Sequence, residues 1–264
     1  MNAESVLPRH WALWTTPPAD GATNMATDLA LLGAVRTGRA LWRWYGWASP
    51  TVSFGRHERV TGRYTPASLE AAGLAAVRRP TGGRALLHAR EITYSVTLPW
   101  PADRPWRPAY DAINRLLTDT LRDAGIPVDR APAGPAVRPD GPVCFDRPAE
   151  GELILDGRKL VGSAVWRQGD AYLQHGSILL ADDQHRLVDA AVIPLPPAPA
   201  AATLTDAIPH RSPLEHLTAV EQSLVSRLAT AGATCGAFTP DAPLRQAVEE
   251  ARRGQRDPGW IWRH

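Results

Sequence analysis

The sequence predicts an α/β fold in a single domain, with a mixed, largely antiparallel sheet flanked by helices. Three observations point there. Short segments that alternate apolar and polar side chains lie in runs joined by tight turns, as antiparallel pairing requires. Longer segments with apolar residues three and four apart fall between and after those runs. A composition of 44% hydrophobic and 21% charged residues over 264 positions can build a globular core and is too apolar for a disordered chain. The domain is expected to cover residues 1–264, with a core of about 10–185 and a helical C-terminal part of about 205–264.

The elements follow in order. A helix is expected to start near Asn24, with Met25, Leu29, Leu32 and Val35 on one face and Gly38 closing it. Leu41 to Tyr45 reads as a strand, and Trp42, Trp44 and Trp47 are read as core side chains rather than ligand contacts. Pro66 to Ala72 is a short helix. In Ile92 to Leu98, Ile92, Tyr94, Val96 and Leu98 alternate with Thr93, Ser95 and Thr97, which predicts a half-buried strand. Tyr110 to Ala124 carries Ile113, Leu116, Leu117 and Leu121 on one stripe, ended by Gly125 and Pro127.

Ala131 to Pro142 is a Pro- and Gly-rich loop leading to Cys144. Glu152 to Ala164 reads as a hairpin about Asp156-Gly157, a two-residue turn pair. That register sets Leu155 opposite Arg158 and Ile154 opposite Lys159. Ala171 to Leu180 is a third strand. Ser212-Pro213-Leu214-Glu215 is a capping box that opens a helix to about Thr230, with Leu217, Val220, Leu224 and Leu228 inward. A last short helix follows Asp241-Ala242-Pro243.

Charge and composition exclude some classes of function. A net charge of +2 without a Lys/Arg run argues against nucleic acid. The N-terminal residues lack an apolar secretory core, and Pro194, Pro196, Pro197 and Pro199 interrupt the most apolar long stretch, so no membrane span is expected. The expected setting is the cytoplasm, as a monomer. There, Cys144 and Cys235 are read as thiols rather than as a disulfide. Cys235 has no charged neighbours and reads as structural.

Lys159 is the only lysine among 29 basic side chains. Elsewhere arginine supplies every positive charge, so an ammonium at this position suggests a task that a planar guanidinium cannot perform. Survival of one lysine by chance on a strand end would also account for it. Cys144 lies 15 residues upstream. A cation near a thiol favours the thiolate, which attacks acyl carbonyls, and the same ammonium can stabilise the resulting oxyanion. A small buried cysteine is the plainer alternative, although Asp146 and Arg147 beside it are polar.

The stretch from Arg78 to His88 contains Arg78, Arg79, Thr81, Gly82, Gly83 and Arg84. Paired glycines let a ligand approach backbone N–H groups, and the arginines offer a cationic rim. A plain turn before the next strand would use the same glycines. His88 and His175 each stand alone, and satisfied structural histidines are the commoner case. No spacing of His, Cys and Asp resembles a metal site.

These segments together resemble the lipoate- and octanoate-protein ligase/transferase family, with its biotin/lipoate protein ligase-like catalytic domain. Arg78 to Pro99 is similar to the Arg-Arg-x-Thr-Gly-Gly signature and its following strand. Gly157 to Leu180, reading GRKLVGSAVWRQGDAYLQHGSILL, is similar to the second signature and its lysine. Val143-Cys144-Phe145-Asp146 resembles the cysteine loop of the octanoyltransferases. Arg84 after Gly82-Gly83 also matches those enzymes better than the ligases. The chain departs from the pattern at Val165-Trp166, at Ala149 and Gly151, and at Ala89.

The resemblance implies an octanoyl-[acyl carrier protein]:protein octanoyltransferase without a cofactor. Its donor would be octanoyl-acyl carrier protein. Its acceptor would be a lipoyl-domain lysine, on glycine-cleavage H protein or on a 2-oxoacid dehydrogenase E2. Cys144 and Lys159 would be catalytic. Arg78, Arg79, Thr81, Gly82, Gly83, Arg84, His88, Gly162, Ser163, Ala164, His175 and Gly176 would bind substrate. Three alternatives remain: an ATP- and Mg-dependent lipoate ligase, an amidotransferase between lipoyl domains, and a non-catalytic acyl- or carrier-binding protein.

Overall fold

The computed structural model describes residues 6–35, 38–132 and 148–263. In chain order its elements are β1 (His10–Thr15), α1 (Gly21–Gly33), β2 (Arg39–Tyr45), β3 (Thr51–Phe54), α2 (Pro66–Ala71), β4 (Ala75–Arg78), β5 (Leu86–His88), β6 (Glu91–Pro99), α3 (Arg107–Asp123), β7 (Asp129–Arg130), β8 (Leu153–Leu155), β9 (Arg158–Gln168), β10 (Ala171–Leu179), α4 (His185–Asp189), α5 (Leu204–Ala207), α6 (Pro213–Thr230), β11 (Thr234–Ala237), α7 (Ala242–Gln255) and α8 (Pro258–Ile261).

Eight strands form one sheet in the order β11-β1-β2-β6-β10-β9-β8-β7, and three form a second in the order β4-β3-β5. β1 pairs in parallel with β2 and β11, whereas β2, β6, β10, β9, β8 and β7 pair antiparallel. The sheet is therefore mixed and largely antiparallel. One face carries the main core, where Ile113, Leu117 and Leu121 of α3 and Val220, Leu224 and Leu228 of α6 pack on Trp42, Tyr94, Val96 and Leu98.

β6 is buried along both faces, not one. Its polar face lies inside the molecule because its hydroxyls find partners there. Ser95 donates to Asp28 of α1 at 2.8 Å, and Thr93 accepts from the Trp47 indole N–H at 2.8 Å. Alternation therefore marked a polar interior rather than a wet surface.

α1 starts three residues earlier than its apolar spacing predicts. The N-cap is Asp20, which accepts from Thr23 N at 2.7 Å. Asn24 lies inside the helix and donates to Gly46 O at 2.9 Å. The helix ends at Gly33. The C-terminal part is also richer than expected. β11 extends the sheet beyond β1, and α7 is a four-turn helix of 14 residues capped by Asp241.

The β8–β9 hairpin has the predicted pairs, Leu155 with Arg158 and Ile154 with Lys159. Asp156 and Gly157 take φ of 50° and 73°, the left-handed pair that a two-residue turn requires. The turn thus sets where Lys159 leaves the strand.

Candidate functional site

A cavity of about 1350 Å³ opens beside this hairpin. β9 and β10 form one wall through Lys159, the run from Gly162 to Arg167, and His175 to Ser177. Gly82, Gly83 and Arg84 line it as well, with His57, Glu58, Arg59 and Arg63 of the loop that precedes α2. Trp106, Arg107 and Tyr110 at the start of α3, with Ala149, Glu150 and Glu152, also belong to the lining. The lining is more apolar than polar and still carries several cations: Arg59, Arg63, Arg79, Arg84, Arg107, Lys159 and Arg167.

Lys159 is 5% exposed, and its Nζ lies 2.8 Å from Glu152 Oε2. Both side chains are buried, so the ammonium and the carboxylate face each other in a poorly solvated place, where an ion pair is broken only at high cost. The same Oε2 accepts the backbone N–H of Ala149 at 2.7 Å. Cys144 lies outside the described residues.

The Gly82-Gly83 turn is held by arginine rather than open to it. Arg79 donates to Gly82 O, Arg84 O and Ser53 O at 2.9, 2.7 and 2.7 Å. A Cβ on Gly55 would sit 1.9 Å from Gly83 O, so the two backbones touch here and only glycine fits at position 55. Arg84 is 8% exposed and lines the cavity with the two glycines.

Arg78 and Thr81 do not line the cavity. Arg78 is fully buried and donates to Gly55 O, Glu58 O, Trp260 O, Ile261 O and Arg263 O, which fastens the C-terminal tail to the second sheet. Its guanidinium is spent on carbonyls and cannot serve as a rim for substrate. Burial lowers its pKa to about 10, so it remains charged at neutral pH. Thr81 is hydrogen-bonded to Nε2 of His175, a residue of the cavity wall, at 2.7 Å.

Both histidines sit in the cavity wall with committed ring nitrogens. His175 Nδ1 lies 3.1 Å from Asp28 Oδ2. Burial alone would raise the Asp28 pKa. The His175 hydrogen bond and the charges of Arg43 and His175 outweigh it and hold the carboxyl below its usual range. His88 Nδ1 donates to Glu91 at 2.8 Å, its Nε2 meets Ser53 Oγ at 2.7 Å, and its ring stacks on Trp47 at 3.9 Å. Burial depresses its pKa against the pull of Glu91, so the ring is neutral at pH 7.

Gly162, Ser163, Ala164 and Gly176 all reach the cavity. A Cβ on Gly176 would lie 2.7 Å from both Gly162 O and Tyr94 Cε1, so this wall needs a bare backbone. Trp166 also lines the cavity, under the Arg56 guanidinium at 4.0 Å. Cys235 lies elsewhere, partly buried on the edge strand β11, and burial pushes its thiol up. Among the described residues no group of three His, Cys, Asp or Glu side chains could hold a metal ion.

Sequence reasoning missed Glu152, Asp28 and Tyr110. Asp28 was detectable: with Asn24 it forms an i, i+4 polar pair on an otherwise apolar helix face. Glu152 gave no signal, because an acid before a strand reads as a solvated end.

The lipoyl protein ligase A/B catalytic domain model matches residues 20–218. A relative named octanoyltransferase LipM, from Moorella thermoacetica, is 40% identical over 179 residues, which is 64% of this chain and 65% of that one. Another LipM, from Kyrpidia tusciae, is 36% identical over 261 residues and covers 94% and 89%. Among solved structures, protein Ta0514 from T. acidophilum superposes with a TM-score of 0.78 at 18% identity, covering 96% of this chain and 99% of that one.

Proposed function

This chain belongs to the lipoyl protein ligase A/B catalytic-domain family, and we propose that within it the chain is an octanoyltransferase of protein lipoylation. The observation that carries the reading is the solitary lysine, which the β8–β9 turn delivers into the wall of a largely apolar cavity that Gly82 and Gly83 also line. The LipM relatives support the octanoyl group as cargo.

The proposed reaction has two acyl transfers. The Cys144 thiolate attacks the octanoyl thioester of acyl carrier protein, and the carrier's thiolate leaves. Thioester replaces thioester, so no nucleotide is needed. A lysine amine of a lipoyl domain, on glycine-cleavage H protein or a 2-oxoacid dehydrogenase E2, then attacks the acyl-enzyme. Amide forms, the Cys144 thiolate leaves, and the proton lost by the amine passes to that sulfur or to solvent. Lys159 stabilises the oxyanion of each tetrahedral intermediate. Cys144 precedes Ala149 by five residues, a reach of at most about 18 Å, and Ala149 lines the cavity. The cationic lining suits an acidic carrier whose prosthetic arm bears a phosphate.

The test is transfer of octanoate from acyl carrier protein to a purified lipoyl domain without ATP. The proposal expects turnover by wild type and none by Cys144→Ala. Transfer that needs ATP and survives Cys144→Ala would replace it with a ligase.

A further inference from the structure

We infer that Glu152 is a positioning residue for the acyl-transfer reaction, fixing the ammonium of Lys159 in the cavity wall. The inference rests on the proposed role of Lys159 as the donor to the oxyanion. Three observations carry it.

The first is geometric. Glu152 Oε2 lies 2.8 Å from Lys159 Nζ and also accepts Ala149 N–H at 2.7 Å. One oxygen therefore joins strand β9 to the chain segment that enters β8, and the carboxylate is pinned before it meets the lysine. The second is burial. Glu152 is 5% exposed and Lys159 is 5% exposed, so neither charge is solvated well enough to stand alone. The third is the nature of the lysine stem. Four rotatable bonds let Nζ swing widely, and an oxyanion donor works only where the oxyanion forms. An ammonium carries three N–H donors, so it can pair with Glu152 and engage other groups as well.

The surroundings favour a carboxylate held in one pose. Tyr110 of α3 and Tyr94 of β6 face Glu152, and its charge helps raise both phenols, after burial, which is the larger cause. Both phenols therefore stay neutral at working pH. Tyr94 is itself fixed by Ser163 at 2.7 Å and by Gln174 at 2.9 Å. Arg107 is taken up by Glu150 and Asp111, and Arg130 by Asp111, so neither arginine competes for Glu152 in an ion pair described for it.

The single lysine makes the test direct. Lysine labelled with 15N at Nζ gives one side-chain signal from this chain, and an ammonium held by a buried carboxylate exchanges slowly enough with water to be seen. The wild-type chain is expected to show that one ammonium signal at neutral pH. In Glu152→Gln the signal should be lost or displaced. The kcat of octanoyl transfer should fall about tenfold or more, while KM for the acyl donor moves much less. Glu152→Asp, which keeps the charge on a shorter stem, should recover part of both.

An unchanged ammonium signal in Glu152→Gln, or an unchanged kcat, would overturn the inference. Absence of the signal from the wild-type chain would overturn it as well, and that arm needs no variant to fold. The signal is read without turnover. A chain that shows the ammonium and its dependence on Glu152 but transfers no octanoate would refute the proposed function and leave the pairing intact.

Discussion

Lys159 is the residue on which the proposed chemistry turns. Removing a preorganised donor to an oxyanion typically costs about 2.7–4 kcal/mol of barrier. Lys159→Met is therefore expected to lower kcat by about a hundredfold to a thousandfold, measured in the transfer assay with octanoyl-acyl carrier protein. Lys159→Arg keeps the charge but should not restore the rate, because a planar fork cannot place a donor where a rotating ammonium does. A wild-type rate in either variant would contradict the role. This residue is legible in the sequence, because a lone lysine in an arginine-only background stands out. Its partner is not. Glu152 becomes meaningful only when the hairpin brings β8 against β9 and buries both side chains. Arg78 is legible as a motif residue, but its place is not: nothing local shows that its donors reach Trp260 and Ile261, more than 180 positions away.

At the scale of elements, the hairpin turn is the feature on which the site depends. Asp156 and Gly157 both occupy positive φ. A Cβ on Gly157 would meet no other atom, so its cost is purely conformational. Gly157→Ala is expected to destabilise the chain by about 1–2 kcal/mol, read as a lower urea midpoint. It should also disturb the Lys159 ammonium signal, since the turn sets the register of that strand. The two pairs next to the hairpin turn are predicted because turn chemistry is local, whereas the register shift that sets Leu153 opposite Val161 is not. β3, β4 and β5 escape notice for the opposite reason. They are three or four residues long, and β3 is buried at every position, so they show no two-residue rhythm. The cavity wall they support is a tertiary product of Arg79 and the Gly55–Gly83 contact.

Over the whole molecule, the buried histidines couple stability to pH. His216 of α6 is fully buried, and burial followed by the charge of Arg211 lowers its pKa from 6.5. His88 is lowered as well, again first by burial. A depressed folded pKa means that the unfolded chain takes up the proton first as pH falls. The stability associated with neutral imidazole is present above 6.5 and is lost as pH drops from there through the lower folded value. The wild-type chain should therefore have a lower urea midpoint at about pH 5.5 than at about pH 7.5, and His216→Leu should flatten that difference. A midpoint that rises on acidification would refute the assignment. The global architecture is readable from the sequence as a mixed, largely antiparallel sheet with helices. The return of the C-terminal segment to the sheet edge as β11, and of α8 to the second sheet, is not, because such contacts leave no periodic trace in the sequence.

Covalent acyl transfer through Cys144 is tested most directly by the intact mass of the chain after brief incubation with octanoyl-acyl carrier protein and no acceptor. The expected result is one octanoyl group bound as a hydroxylamine-sensitive thioester, mapped to Cys144, absent from Cys144→Ala and discharged on adding a lipoyl domain. An unmodified chain that nonetheless octanoylates the lipoyl domain would contradict it.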